Sequence, residues 1–295
     1  MKRILIALGG NAMLDSDLTG TFENQKEKIE LVCEKIVEIA KKGHNIVITH
    51  GNGPQIGYLA IQQEVASEKI PQQPLFILGA MTQGQIGYII QQVLRNKLSG
   101  YDPHTKVVTL ITQIIVDEND AGFENPTKPV GPFYEGTLAK KLAKENDWSV
   151  KKVLPKGDKT WRRVVPSPEP LQIIEANVIK TLIDNNVIVI ACGGGGIPVI
   201  INDSGEVKGV NAVIDKDKAA ARLAEEINAE IFLILTDVEH AVKNFGKKNE
   251  TPIKEITIQE ACKLVKEGHF GAGSMKPKVE ACIKFLEKGY EKKGE

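Results

Sequence analysis

The sequence predicts an α/β protein, a three-layer αβα sandwich around a mainly parallel central sheet with a small protruding insertion. Three observations point to it. Short apolar runs alternate with stretches of helical spacing, the pattern of strands joined by crossover helices. Glycine clusters follow directly on several of these runs, at Gly9-Gly10, Gly51-Asn52-Gly53 and Gly193-Gly194-Gly195-Gly196. The alternation is interrupted between Asp117 and Pro168 by a segment rich in Pro, Gly, Lys and Trp.

Residues 3–8 form a short Ile/Leu run, and residues 25–42 place Ile29, Val32, Ile36, Ile39 and Ala40 at helical spacing, so the chain opens as strand, loop, helix. The unit repeats. Residues 45–49 read as a strand, the glycine turn follows, and helical pattern runs through 55–67 and 74–98 before a strand at 106–112. Such strands are almost continuously apolar because helices cover both faces of a parallel sheet. Within 117–168 only short β-like pieces stand out, at 152–154 and 162–165, and the segment reads as an inserted lid in a single domain spanning 1–295. Alternation resumes with a helix near 171–185, a strand at 187–192, a helix at 217–227 and a strand at 230–235. Residues 238–255 are polar and loop-like, and Thr257 with Glu260 makes a capping box that opens a helix running to about Glu267. A last helix follows Pro277, and 287–295 is a charged tail without strand pattern.

Composition bounds the function. The chain has 295 residues, 42% hydrophobic and 26% charged, with 38 basic side chains against 38 acidic ones. That length supports a large core and excludes disordered and fibrous classes. No apolar run approaches the roughly 18–20 residues that span a bilayer, and residues 4–8 are too short for a signal-peptide core, so no membrane partner and a cytoplasmic location are expected. Balanced charge removes the electrostatic case for a nucleic-acid partner. Cys33, Cys192, Cys262 and Cys282 form no CxxC pair and the five histidines no HxxxH spacing, which argues against zinc or disulfide frameworks.

In a parallel sheet the three glycine turns share the carboxyl edge, where ligands bind and where glycines let backbone N–H groups approach phosphate oxygens. The common nucleotide fingerprints are absent. There is no GxxxxGK[ST], and Gly51, Gly53 and Gly57 miss the GxGxxG spacing by one residue. Protein-kinase HRD and DFG motifs are missing too. Phosphoryl transfer needs positioning and charge neutralisation, so cations near that edge matter most. Three lysines have the context: Lys128 in Lys128-Pro129-Val130-Gly131-Pro132, Lys216 between Asp215 and Asp217 at a strand-to-helix junction, and Lys278 just after Gly273-Ser274-Met275-Lys276-Pro277.

Together with Ala7-Leu8-Gly9-Gly10-Asn11-Ala12, Thr49-His50-Gly51-Asn52-Gly53-Pro54-Gln55, Trp161-Arg162-Arg163-Val164-Val165-Pro166-Ser167-Pro168, Ala191-Cys192 with its glycines and Ile197-Pro198, and Val213-Ile214-Asp215-Lys216-Asp217, these motifs resemble the carbamate kinase family, in order from about residue 3 to residue 286. The resemblance implies an amino-acid-kinase fold, reversible transfer between ATP and carbamate with ADP and carbamoyl phosphate on the other side, Mg²⁺ on the nucleotide, and a homodimer. It implies that Lys128, Lys216 and Lys278 surround the transferred group, that Gly9, Gly10 and Asn11 cradle it, and that Gly51, Asn52 and Gly53, with Gly194 and Gly195, lie on the carbamate side. Thr236 and Asp237, with Met275, match the family's nucleotide side, while a plain βα turn is the other reading of Thr236-Asp237. Asp215 either orients the lysines or helps hold the metal, or simply caps the helix that follows; the metal ligands stay unassigned. Carbamate is already an anionic nucleophile, so no general base is required.

Other residues keep two readings. Cys192 is a reactive thiol or a small buried strand end, His50 a carbamate contact or a turn residue, and Trp161-Arg162-Arg163 an anion cover or insertion packing. The chain also departs from the family: Lys276 stands where Gly is usual, Gly157-Asp158-Lys159-Thr160 replaces a Gly-Arg-Gly-like lead, and family members usually continue past the last helix with another strand and helix, an element whose loss would be expected to expose a sheet edge. The competing functions are another small-carboxylate kinase of the same superfamily and a non-catalytic nucleotide or anion sensor.

Overall fold

The computed structural model describes residues 1–10, 13, 20–271 and 275–293. The chain runs β1 (Arg3–Leu8), α1 (Phe22–Ala40), β2 (Asn45–His50), α2 (Gly53–Ala66), α3 (Leu75–Ser99), β3 (Lys106–Thr109), β4 (Gln113–Ile115) and the short α4 (Ala121–Glu124). It continues with β5 (Lys128–Glu135), α5 (Gly136–Asn146), β6 (Ser149–Lys152), β7 (Lys159–Val165), β8 (Gln172–Ile173), α6 (Ala176–Asp184), β9 (Val187–Ile190), β10 (Ile197–Ile201) and β11 (Val207–Gly209). It closes with α7 (Lys216–Glu226), β12 (Ile231–Leu235), β13 (Ala241–Lys243), β14 (Thr251–Ile253), α8 (Ile258–Lys266) and α9 (Met275–Lys293).

The central sheet has the order β12-β1-β2-β9-β3 and every pairing in it is parallel. Side chains alternate between its faces, and the two resulting cores show why the molecule has three layers. Ile4, Ile6 and Leu8, with Ile46, Ile48, Ile188 and Ile190, pack against α1 and α3 through Ile29, Ile36, Ile86, Ile90 and Leu94. Leu5, Ala7, Val47, Val189 and Ala191 point the other way, onto α6 and α7 through Ile179, Ile183, Ala220 and Leu223. Full burial of each such Leu or Ile stabilises by about 1.5–3 kcal/mol. Helix α9 lies outside α7 and reaches the sheet edge, where Phe285 meets Phe232 edge to face at 5.6 Å between ring centroids.

Several elements differ from the sequence expectation. The strand expected at 106–112 stops at Thr109, and Gln113–Ile115 leaves for a second sheet of order β11-β10-β4-β8. Residues expected to begin a helix near 171 form β8 instead, pairing antiparallel with Ile114 and Ile115, since Pro168 and Pro170 favour extended backbone before the helix starts at Ala176. The loop-like 238–255 contains the hairpin β13–β14, whose three-residue strands are too short to show a period. The charged tail continues α9 as far as Lys293, its Glu and Lys residues outweighing Gly289 in helix propensity.

The segment 117–168 carries more order than its sequence promised. Strands β5, β7 and β6 form an antiparallel sheet of their own, and α5 packs on it through the buried Ala139. Val130 and Val165 seat this sheet on Ile56, Leu75 and Leu78 of α2 and α3, and Tyr134 donates its hydroxyl hydrogen to Glu64 Oε2 at 2.8 Å. No helix among the described residues is long and apolar enough to cross a membrane.

Candidate active site

Register in the central sheet puts Leu8 beside both His50 and Leu235, and Ile48 beside Ile190, so the glycine turns leave one edge together. They touch. Gly51 N–H donates to Leu8 O at 3.1 Å, Gly9 N–H donates to Leu235 O at 3.0 Å, and a Cβ built on Gly51 would lie 3.5 Å from the Gly10 nitrogen and 3.3 Å from Lys216 Cδ. A Cβ on Gly194 would strike the Asn52 amide at 2.2 Å, and one on Gly195 would strike Ile214 O at 2.3 Å, just before Asp215. Close approach, as much as positive φ, is why glycine stands in this loop. Gly53 opens α2, with Pro54 in its first turn; Asn52 precedes it without capping it, and donates from Nδ2 to Thr82 Oγ1 at 2.9 Å. Asn11 and the Gly273-Ser274 pair lie outside the described residues.

The lysines converge on two carboxylates. Asp215 caps α7, accepting from the Asp217 N–H at 2.9 Å through Oδ1, and holds the Lys128 ammonium 2.7 Å from Oδ2. One side chain thus caps the helix and pairs with Lys128. Burial alone would raise its pKa, but the Lys128 charge and hydrogen bond, the Asp217 amide and nearby Lys216 hold it below the ordinary carboxylate value. Asp217, 4% exposed, accepts from the Lys216 ammonium through Oδ1 and has Lys278 Nζ 4.0 Å from Oδ2. Two mutually repelling ammonium groups are thus held side by side by one buried carboxylate. Asp217 was not singled out in the sequence; its place inside Asp215-Lys216-Asp217 was the available signal, but a first-turn acid also reads as ordinary helix capping.

A cleft of about 520 Å³ adjoins these groups, lined by Gly9, Gly10, Thr236, Asp237, Met275 and Lys278 among others. Val238, Val242, Phe245 and Phe270 line it too, beside His240 and Glu250. An apolar branch of about 330 Å³ shares Thr236, Met275 and Lys278 and runs between α8 and α9, past Ile256, Val279 and Ile283. A polar mouth of glycines and lysine leading to an apolar slot suits an anionic ligand with a flat apolar body. The aromatic residues Phe245 and Phe270 escaped sequence reading because they sit outside regular elements, where no periodicity marks them. On the other side, Lys128 and Asp215 face a polar cleft of about 620 Å³ with Glu169, Lys218, Glu280 and Lys284, in which Glu169 pairs with both Lys218 and Lys284.

The residues with two readings resolve toward structure. Cys192 is fully buried and burial pushes its thiol well above the ordinary value, which disfavours thiolate chemistry. His50 is 1% exposed; its Nδ1 lies 2.9 Å from the Gly51 carbonyl, which can only accept, so Nδ1 carries the proton. Burial pushes its pKa from 6.5 to about 4, leaving a neutral ring under the turn. Trp161 lies beneath Lys140 with the ammonium 5.6 Å from the ring centroid, Arg163 stacks on Trp148 at 4.5 Å, and Arg162 donates from Nε and Nη2 to Gly131 O at 3.0 and 2.7 Å. All three are occupied within the insertion.

The chain is similar to proteins already known. A model of the Amino acid kinase family matches residues 2–292. Carbamate kinase of Pyrococcus furiosus is 52% identical over 293 residues, 99% of this chain and 92% of that protein. Carbamate kinase of Thermococcus kodakarensis is 51% identical over 295 residues, again 99% and 92% of the two chains. Among solved structures, carbamate kinase from Giardia lamblia bound to AMP-PNP superposes with a TM-score of 0.90 at 45% identity, covering 97% of this chain and 90% of that one.

Proposed function

The chain belongs to the amino acid kinase family and, within it, to the carbamate kinases, and on that premise we propose that it transfers a phosphoryl group reversibly between ATP and carbamate through the lysines gathered on Asp215 and Asp217. In one direction ADP and carbamoyl phosphate give ATP and carbamate, which decomposes to ammonia and CO₂. The observation that carries the residue assignment is the meeting of Lys216 and Lys278 on the buried Asp217, with the Lys216 stem against Gly51 and beside Gly10.

The division of labour follows from charge. An in-line transfer crowds negative oxygens around the moving group, and fixed cations stabilise that charge without reorganising. Lys216 and Lys278 supply this from the α7 and α9 side, Lys128 from the insertion, while Gly9 and Gly10 cradle the phosphates. Gly51, Asn52, Gly53, Gly194 and Gly195 hold carbamate, whose own anionic oxygen attacks. Thr236, Asp237 and Met275 flank the nucleotide, its base in the apolar part of the cleft. Mg²⁺ enters as part of the nucleotide substrate. Asp215 and Asp217 are engaged with lysines and the Asp217 amide, and Mg²⁺ brought in with the nucleotide would offset phosphate charge.

The segment 117–168 acts as a lid within one domain, since Lys128 stands at the start of its sheet. A homodimer is supported by the apolar residues left exposed along α2 and α3, Tyr58, Ile61 and Val65 on the first and Ile77, Met81 and Tyr88 on the second. A cytoplasmic location suits the nucleotide substrates. The test is ATP formation from ADP, carbamoyl phosphate and Mg²⁺ by purified protein, with Lys216→Ala as control. Turnover that vanishes in the variant supports the reading; folded protein that binds ADP without turnover overturns it and favours another acid substrate or a sensor.

A further inference from the structure

Cys192 follows β9 in the left-handed backbone region, at φ 54° and ψ 29°. A residue with a Cβ keeps that conformation only when its surroundings impose it. Here two hydroxyls do so. The Cys192 N–H donates to Thr112 Oγ1 at 3.1 Å, and the Cys192 carbonyl accepts from Thr49 Oγ1 at 3.0 Å as well as from the Gly195 N–H at 3.1 Å. Both threonines are fully buried and come from different parts of the fold, Thr49 from β2 and Thr112 from the link between β3 and β4. Thr112 is itself gripped at both backbone atoms by the Gln83 amide of α3, its N–H donating to Oε1 at 2.8 Å and its carbonyl accepting from Nε2 at 3.1 Å.

The segment so anchored is Gly193-Gly194-Gly195-Gly196, with φ of 67°, 95° and 78° at the last three positions. The Gly195 and Gly196 N–H groups close this turn onto the Cys192 and Gly193 carbonyls, both at 3.1 Å, so an anion at the loop would be met by the N–H groups of Gly193 and Gly194. We propose that Thr49 and Thr112 are positioning residues for the phosphoryl acceptor, fixing Cys192 left-handed and thereby aiming the Gly193-Gly194 backbone N–H groups at the carbamate group. This rests on the reading of Gly194 and Gly195 as the carbamate side. Neither threonine touches substrate, and the thiol takes no part; the clamp acts through the backbone. It also accounts for these two buried hydroxyls, where a valine would pack as well but leave the Cys192 peptide groups without these partners.

The experiment is steady-state kinetics in the ATP-forming direction, each substrate varied in turn, on Thr112→Val, Thr49→Val and Thr112→Ser, with melting temperatures to establish folding. Valine keeps the shape and removes the hydroxyl; serine keeps the hydroxyl. Loss of aim should raise KM for carbamoyl phosphate by about tenfold or more in the valine variants, leave KM for ADP within about twofold, and be restored by serine. Equal losses on both substrates, or unchanged KM in folded valine variants, overturn the proposal. The two valine variants are independent, so one that fails to fold leaves the other to decide. Gly195→Ala tests the underlying reading separately, because its methyl would meet Ile214 O at 2.3 Å in a backbone at φ 95°. Unchanged KM for carbamoyl phosphate in that folded variant refutes the loop's assignment, whereas a raised KM there beside normal valine variants refutes the threonine clamp alone.

Discussion

Lys128 and Asp215 stand 87 positions apart in the chain and meet at 2.7 Å, joining the first strand of the inserted sheet to the cap of α7. The same carboxylate receives the Asp217 amide, so one side chain sets the start of the helix that carries Lys216 and Asp217 and also fixes the lysine of the insertion.

Asp215→Asn separates these duties, because Asn is as good a helix cap as Asp but carries no charge. The Asp215 pKa is held below its ordinary 3.8, chiefly by Lys128 acting against burial. A carboxyl depressed in the folded state adds stability above the unfolded-state value and loses it as pH falls through the folded one. Wild type should therefore melt above Asp215→Asn near neutral pH, and the gap should close below about pH 4. A constant gap in thermal denaturation across that range would assign the difference to packing.

Lys216→Ala and Lys278→Ala should each lower kcat by about 10²–10⁴ while the fold survives, if their charge acts mainly in the transition state. Asp217→Asn should lower kcat by about tenfold or more with both lysines still present, since it removes the charge that holds them together. Kinetics with circular dichroism would check this, and wild-type kcat in Asp217→Asn would show that the lysines hold their places without it.

His50 gives a second pH signature. Its folded pKa of about 4 lies below 6.5, so the unfolded chain takes up the proton first as pH drops. Stability from the buried neutral ring is fully present above about pH 6.5 and declines toward pH 4 by up to about 1.4 kcal/mol per pH unit. His50→Asn should flatten that part of the stability curve, measured by urea denaturation; an unchanged slope would place the acid sensitivity elsewhere.

The homodimer is tested on the exposed apolar positions of α2 and α3. Val65 and Met81 are 79% and 44% exposed, so neither supports the isolated fold. Val65→Asp with Met81→Asp should convert a dimer to a monomer in light scattering without lowering far-ultraviolet helical signal. Wild type that is monomeric at micromolar concentration, or a variant that remains dimeric, would remove these faces from the interface.

Much of the fold was legible because the buried strands announce themselves. Residues 3–8, 45–50 and 187–190 are short runs dominated by β-branched and aliphatic residues, as strands of a parallel sheet covered on both faces are. Short pairings were not legible. The hairpin β13–β14 and strand β8 owe their conformation to partners distant in sequence, and α5 lay unread in a segment whose Pro, Gly and Trp content drew attention to its irregularity.

The sequence by itself determined the alternating architecture, the glycine turns at one sheet edge and the lysines worth attention, since periodicity and turn chemistry are local properties. Tertiary structure alone decided which carboxylate holds which lysine, that Asp217 is buried between Lys216 and Lys278, and that Thr49 and Thr112 grip Cys192 from two directions. Hydrogen bonds and ion pairs act over a few ångströms in space, and the residues making them can be anywhere along the chain.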